Sequence, residues 1–322
     1  MYQSQSGGRF GPELILIGGV AIEYVATRLA STAFASPNGS TPGRQAIAQW
    51  IPIAAVAAIA ISSGQPMTAI ALIFGSSVAC LSLILGMTAY TGPVAQLPPE
   101  RRVWSLVLPV SVLLLLAGFR AQFTWYHAVM LLVMGVAILF VWLDRPGVES
   151  APEPTPVLMD PFRVGLLMAA VVLEILGAWV ATRGVMQVSS RVVTPELLGA
   201  TILSPLLLLP ALSSGTMLAQ HGNAHRAVTS LCGTVFLNLC LLLPLTILIH
   251  PALRLAPGTS PVLAYPLITW RVDTVVLLLL AFALIPMSAG RWMPSRLEAM
   301  LLVVVYAAYL IAETAISARL LQ

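Results

Sequence analysis

Ten apolar stretches follow one another between residues 12 and 317, and most are 18 residues or longer. This excludes nearly every architecture except a bundle of membrane-crossing helices. A helix rises about 1.5 Å per residue, so roughly 20 apolar residues cross a hydrocarbon core about 30 Å thick. The stretches run about 12–33, 46–62, 67–89, 103–119, 123–143, 161–182, 196–219, 227–249, 272–289 and 296–317. The second is short and the seventh is interrupted by proline. Nothing alternates with period two over the length of a membrane strand, which sets a β-barrel aside. With 58% hydrophobic and 9% charged residues and mean hydropathy +0.93, the chain is outside the soluble range. Residues 1–11 are polar and the first stretch lacks a basic n-region, so no cleavable signal peptide is expected. The expected location is multi-pass in a bacterial inner (plasma) membrane.

All 16 basic residues are arginine, and they give a net charge of +4. They mostly flank the apolar stretches, which points to the lipid bilayer as partner and away from nucleic acid. Protein partners are not legible. Cys80, Cys232 and Cys240 fall inside predicted spans without a CxxC motif and are expected to pack as apolar side chains. His221 and His225 stand four apart around Gly222-Asn223, but two imidazoles without a nearby Cys, Asp or Glu make a weak metal site. A polar turn between spans explains them better. There is no Ser/His/Asp order, carboxylate pair on one helix, phosphate loop or metal quartet, so neither an enzyme nor a resident cofactor or metal is expected. Asp160-Pro161-Phe162-Arg163 reads as the cap and first turn of the sixth span.

Two stretches share a skeleton of backbone-setting residues. Pro52, Gly64 and Gly75 recur as Pro210, Gly222 and Gly233, each pair 158 residues apart in a chain of 322. Val25-Ala26-Thr27-Arg28 recurs as Val180-Ala181-Thr182-Arg183, 155 residues on. Side-chain identity is otherwise mostly lost, as expected of an old duplication. The main polar linker, 144–160, carries Pro146, Pro152, Pro154 and Pro156 with four acids and follows the fifth span. Five is odd, so a second half of like fold enters the membrane from the opposite side. The expectation is an all-α integral membrane protein of ten transmembrane helices. Two inverted five-helix repeats, 1–143 and 161–322, are related by a pseudo-two-fold axis in the membrane plane. Nine arginines fall on the linker side and seven on the other, a slight lean to a cytoplasmic linker.

Proline within a membrane helix removes a backbone donor. Pro52 in the second span and Pro205 and Pro210 in the seventh are therefore expected to break or kink their helices. Gly64 and Gly222 are expected in tight turns, and Gly75 and Gly233 where helices approach closely.

The two skeletons resemble the α-repeats of the cation/calcium antiporter superfamily, the sodium/calcium exchanger-like membrane proteins. There each repeat reads roughly Gly-Thr-Ser-Leu-Pro-Glu, a Gly-Asn-x-Asp turn, then Gly-Ser-Asn-x-x-Asn. Here the turns are Gly64-Gln65-Pro66-Met67 and Gly222-Asn223-Ala224-His225. The following helices carry Gly75-Ser76-Ser77-Val78-Ala79-Cys80 and Gly233-Thr234-Val235-Phe236-Leu237-Asn238. The resemblance implies a five-plus-five fold and ion antiport at a midplane site between spans two, three, seven and eight. It also implies a metal-binding glutamate after each proline, where this chain has Ile53 and Ala211. Gln49 and Trp50, and Leu207 and Leu208, replace the hydroxyls before it. Ser76, Ser77, Thr234 and Asn238 keep liganding chemistry, and Cys80 stands at the position equivalent to Asn238. Ca²⁺ takes six to eight hard oxygens, with anionic charge to offset its dehydration, so its exchange by the usual site is not expected. Monovalent ions are served by neutral oxygens.

Other ionisable residues lie in the spans: Glu23, Glu174, Asp273, Glu313 and His127. A carboxylate at mid-membrane costs about 2.5–3.5 kcal/mol on insertion scales and reads as functional by default. Glu23 and Glu174 can face the same way on related helices. They serve either proton or substrate handling, or pairing with arginine: Glu23 with Arg28, and Glu174 with Arg163 or Arg183. Asp273 and Glu313 read as solvated near span ends, and His127 as interfacial or hydrogen-bonded. The expected function is secondary transport of a cation or small solute. The alternative is a non-transporting scaffold or partner subunit that keeps the fold.

Overall fold

The computed structural model describes residues 11–34, 42–92, 105–117, 119, 122–143, 161–189, 194–253, 263–288 and 294–320. The 144–160 linker lies outside them. Among the described residues the fold is all-helical apart from one two-residue strand pair. In chain order the helices are α1 (Gly11–Phe34), α2 (Pro42–Ser62), α3 (Pro66–Thr91), α4 (Val107–Ala117), α5 (Trp125–Leu143) and α6 (Pro161–Ser189). The second half has α7 (Pro195–Leu207), α8 (Leu209–Gln220), α9 (Ala224–Leu253), α10 (Leu267–Ser288) and α11 (Arg296–Leu320). Among the described residues seven helices are long and apolar enough to cross a membrane, and the bent pair α7–α8 makes an eighth. The apolar helices α4 and α5 are shorter.

Local chemistry sets the helix ends. Pro42, Pro66, Pro161 and Pro195 open helices, where a missing N–H costs nothing. Ser295 and Glu298 form a reciprocal capping box before α11: Ser295 N–H donates to Glu298 Oε2 at 2.6 Å and Glu298 N–H to Ser295 Oγ at 3.4 Å. The α2–α3 and α8–α9 turns are the same structure 158 residues apart. Gly64 and Gly222 adopt left-handed φ of 78° and 75°. The next residue donates back five positions in each, Gln65 to Ala60 at 2.8 Å and Asn223 to Leu218 at 2.8 Å.

The same offset governs the helix interiors. α3 passes through a π-helical turn at Cys80–Ile84 and α9 through one at Asn238–Leu242. Another lies in α7, at Gly199–Leu203. Such turns are rare and recur at functional sites. α3 is the most enclosed helix and α9 the next, so these turns sit at the centre of the bundle. α1, α6 and α11 face outward and expose Leu14, Ile17, Val172, Ile175, Leu297 and Ile311, as lipid-facing surfaces do.

Close helix contacts rest on glycine. A Cβ on Gly75 would collide with the Ala200 carbonyl and lie 2.7 Å from Ala200 Cα. α1 and α6 pack at backbone distance, since a Cβ on Gly184 would lie 2.6 Å from Leu16 Cα. Phe123 and Leu263 pair in the short antiparallel ribbon, where Phe123 stacks edge-on against Trp270 at 4.5 Å.

Pro52 corrects the expectation of matching breaks. It lies inside an unbroken α2, whereas the chain bends by 41° between α7 and α8 at Leu208. One buried proline in an alanine-rich helix held by α3 and α9 forfeits a single bond. In the second half Pro205 and Pro210 stand five apart just after a π turn, and together they interrupt the ladder.

Candidate functional site: an uncharged polar seam

The π turn of α9 begins with Asn238, which is fully buried. Its amide nitrogen donates to Ser76 Oγ at 2.9 Å and to Ser77 Oγ at 3.4 Å on α3. Both serine hydroxyls are committed to the Ile73 carbonyl, at 3.1 and 2.7 Å, so their lone pairs face the amide. This fixes which way the Asn238 side chain points. Its Oδ1 is buried with no donor.

One turn earlier on α9, a second amide bridges helices. Gln49 Oε1 on α2 accepts from Ser230 Oγ at 3.2 Å and Thr234 Oγ1 at 3.3 Å. Gln49 Nε2 donates to Ser214 Oγ on α8 at 3.4 Å, and Gln45 Nε2 donates to the same oxygen at 3.2 Å. The result is an uncharged seam of amides and hydroxyls joining α2, α3, α8 and α9. A cavity of about 120 Å³ reaches it, lined by Gln45, Gln49, Pro210 and Ser214 of the seam helices together with Thr27, Arg28, Ser31 and Arg44. A cavity of about 340 Å³ holds the second copy of the Thr-Arg echo, Thr182 and Arg183, beside Ser63 and Trp179.

The structure thus brings Ser76, Ser77, Thr234 and Asn238 together. Ile53 and Ala211 are 0% and 1% exposed within the apolar core. Cys80 is fully buried near Cys232. Among the described residues no group of three or more His, Cys, Asp or Glu side chains could hold a metal ion. His127 bonds Thr124 at 3.0 Å, and a His221 ring nitrogen lies 2.7 Å from the Met217 carbonyl.

Two expectations about charged residues are corrected. Glu23 and Glu174 do not pair with Arg28 or Arg183. Arg28 bonds the Tyr24 hydroxyl and Ser213 Oγ, at 2.8 Å for the latter, and Arg183 lies 4.3 Å over the Trp179 ring. The Arg163 side chain lies outside the described residues. The two glutamates, 1% and 3% exposed, instead face one another between α1 and α6, and Thr27 Oγ1 donates to Glu174 Oε1 at 3.2 Å. Asp273 and Glu313 are not solvated either, at 1% and 2% exposed. Asp273 accepts from Tyr309 at 2.9 Å and Tyr265 at 3.2 Å because α10 begins five residues earlier than its apolar run and carries Asp273 inward.

Sequence reasoning missed Gln49 as a bridging residue, together with Gln45, Ser214 and Ser230. A signal was available, because Gln45/Gln49 and Ser230/Thr234 are each spaced i, i+4 and so line one face of otherwise apolar helices.

The family model of the sodium/calcium exchanger protein matches residues 162–315. A search of curated proteins by sequence finds no match. Among solved structures, the H⁺/Ca²⁺ exchanger CAX superposes with TM-score 0.67 at 12% identity, over 94% of this chain and 88% of that one. Native YfkE gives 0.67 at 13% identity, over 92% and 89%. The sodium-calcium exchanger NCX_Mj, soaked with Na⁺ and Sr²⁺, gives 0.60 at 17% identity, over 92% and 94%. The second half thus matches the sodium/calcium exchanger family model, and the fold is similar to that of these exchangers over more than nine-tenths of the chain.

Proposed function

We propose that the chain is a secondary transporter that moves a small monovalent cation through the amide–hydroxyl seam. The observation that carries this reading is the Asn238 Oδ1 acceptor, buried beside Ser76 and Ser77 with no donor. An acceptor left without a donor in a membrane interior costs free energy unless a cation or water takes it up. Gln49, Thr234 and the serines supply further neutral oxygens, the ligand class that replaces a monovalent ion's hydration shell. The 120 Å³ cavity lined by Gln49 and Ser214 offers an approach to that end of the seam.

In this reading ten spans form two inverted repeats, 1–143 and 161–322, joined by the 144–160 linker. The repeated π turns, left-handed glycines and turn hydrogen bonds at one offset support the duplication. The α7–α8 pair counts as one broken span, with Pro205 and Pro210 at the break. Ile53 and Ala211 occupy the places of the family's two metal-binding glutamates. Without those charges the seam offers Ca²⁺ no compensation for dehydration, so Ca²⁺, which is named for both CAX and NCX_Mj, is not the cargo.

The test is thermal stability of the purified protein against cation concentration. Na⁺ or K⁺ raises the unfolding temperature with saturation and Ca²⁺ does not, because a ligand that binds only the folded state stabilises it. Asn238→Ala removes the effect. Stabilisation by Ca²⁺ alone, or monovalent stabilisation that persists in Asn238→Ala, contradicts the proposal.

A further inference from the structure

Glu23 and Glu174 sit near the middle of α1 and α6, the two helices whose backbones meet at Gly19, Gly177 and Gly184. Gly177 leaves room for the Glu23 side chain: a Cβ there would lie 3.0 Å from Glu23 Cγ. The two carboxyls are within hydrogen-bonding reach of one another. An ionised carboxylate only accepts, so with both ionised neither Glu23 oxygen has a donor and Glu174 has only Thr27.

No cation offsets the pair among the described side chains around it. On α1, Arg28 is turned to Tyr24 and Ser213, and on α6, Arg183 is turned to Trp179. Arg44 of α2 lines the same cavity as Thr27, and α7 contributes Glu196, itself an acid. The remaining segments packed there, the end of α7 and α8, bring no ionisable group before His221. Two facing carboxylates so placed cannot both stay ionised. The ligand their geometry calls for is a proton.

We propose that Glu23 and Glu174 form a proton-binding dyad, loaded through the cavity at Thr27, and that its proton is the coupling ion of the transport cycle. The inference rests on the transporter reading above. The resting dyad holds one proton, donated from one carboxyl to the other carboxylate. It takes a second from water in the cavity, which leaves two neutral acids and no net charge, and releases it in the return step. Thr27 is a positioning residue: it lines the cavity, and its hydroxyl holds Glu174 Oε1. The charge missing at positions 53 and 211 is thereby carried on the neighbouring helix pair.

Infrared difference spectroscopy of the reconstituted protein, titrated with pH, tests the dyad without requiring transport. A protonated-carboxyl band that changes with pH is expected in the wild type. Glu23→Gln and Glu174→Gln each remove part of it, and Thr27→Val, which keeps both acids, shifts its midpoint. A titrating band that is absent, or unaltered in all three variants, overturns the dyad. Uptake of Na⁺ or K⁺ into proteoliposomes under an imposed pH gradient tests coupling. It is expected in the wild type and falls to the level of empty liposomes in Glu23→Gln. Uptake driven by a cation gradient but indifferent to the pH gradient overturns the coupling role. A titrating band with no flux under any gradient overturns the transporter reading, and coupling with it, while leaving the proton site standing.

Discussion

Replacing Gln49 with leucine tests whether the seam ties the two halves together. The substitution nearly conserves volume and deletes one acceptor and one donor. Thr234 keeps the Ser230 carbonyl at 3.1 Å, and Ser214 keeps the Ala211 carbonyl at 3.1 Å with the Gln45 amide at 3.2 Å. Ser230 loses the acceptor its hydroxyl uses at 3.2 Å and is buried. A buried polar group stripped of its partner costs about 1–3 kcal/mol. Interhelical hydrogen bonds within membranes measure about 0.6 kcal/mol on average and about 1.7 at most. The expected loss for Gln49→Leu is therefore about 1–2 kcal/mol, within both ranges. Ser230→Ala alone costs less, and in Gln49→Leu/Ser230→Ala there is no stranded hydroxyl, so the double variant is about as stable as Gln49→Leu. Unfolding of the four proteins in detergent gives the cycle, with a coupling of about 0.5–1.5 kcal/mol expected. Additivity within about 0.5 kcal/mol refutes the bridge as an energetic link between α2 and α9.

Further predictions concern topology and the vacated acid positions. Ser63 and His221 occupy equivalent exposed turns 158 residues apart, so inversion puts them on opposite membrane faces. Cysteines introduced by Ser63→Cys and His221→Cys are expected to react with an impermeant thiol reagent from opposite sides, over a low background because Cys80, Cys232 and Cys240 are buried. Labelling from one side excludes inverted repeats. Ile53→Glu and Ala211→Glu place carboxylates at fully buried positions, and each alone is expected to lower stability by a few kcal/mol. The double variant is expected to regain stability with added Ca²⁺, which binds only the folded state, and cation-independent unfolding of all three variants means the locus has closed into apolar packing.

The fold was legible because membrane helices announce themselves by length and because the surviving repeat residues act on the backbone. Gly64 and Gly222 need left-handed φ, and Gly75 needs contact with the Ala200 backbone, so side chains around them can drift while these residues persist. The π turns at Cys80–Ile84 and Asn238–Leu242 left no such mark, since an extra residue in a helical turn has no compositional signature. Within the site, Ser76, Ser77 and Asn238 were legible through the resemblance, whereas Gln49 read as a lost hydroxyl position. Its role depends on Ser230 and Ser214, some 180 and 165 residues away in sequence, and only packing brings them together. Glu23 and Glu174 could be placed on related helices, but of the two roles left open for them, pairing with Arg28 or Arg183 does not occur. Proximity along the chain favoured Arg28 and Arg183, and the helix interface turned both acids inward instead. Asp273 was misplaced because an apolar run marks the hydrophobic part of a helix and not its buried length.

The most direct measurement is flux in proteoliposomes, with the wild type compared with Gln49→Leu over Na⁺, K⁺, Ca²⁺ and H⁺ gradients. The account predicts saturable, gradient-driven uptake of Na⁺ or K⁺ in the wild type, no Ca²⁺ uptake, and loss of the monovalent flux in Gln49→Leu. Two results contradict it: the absence of saturable flux for any of these ions, or Ca²⁺ uptake that survives Gln49→Leu unchanged.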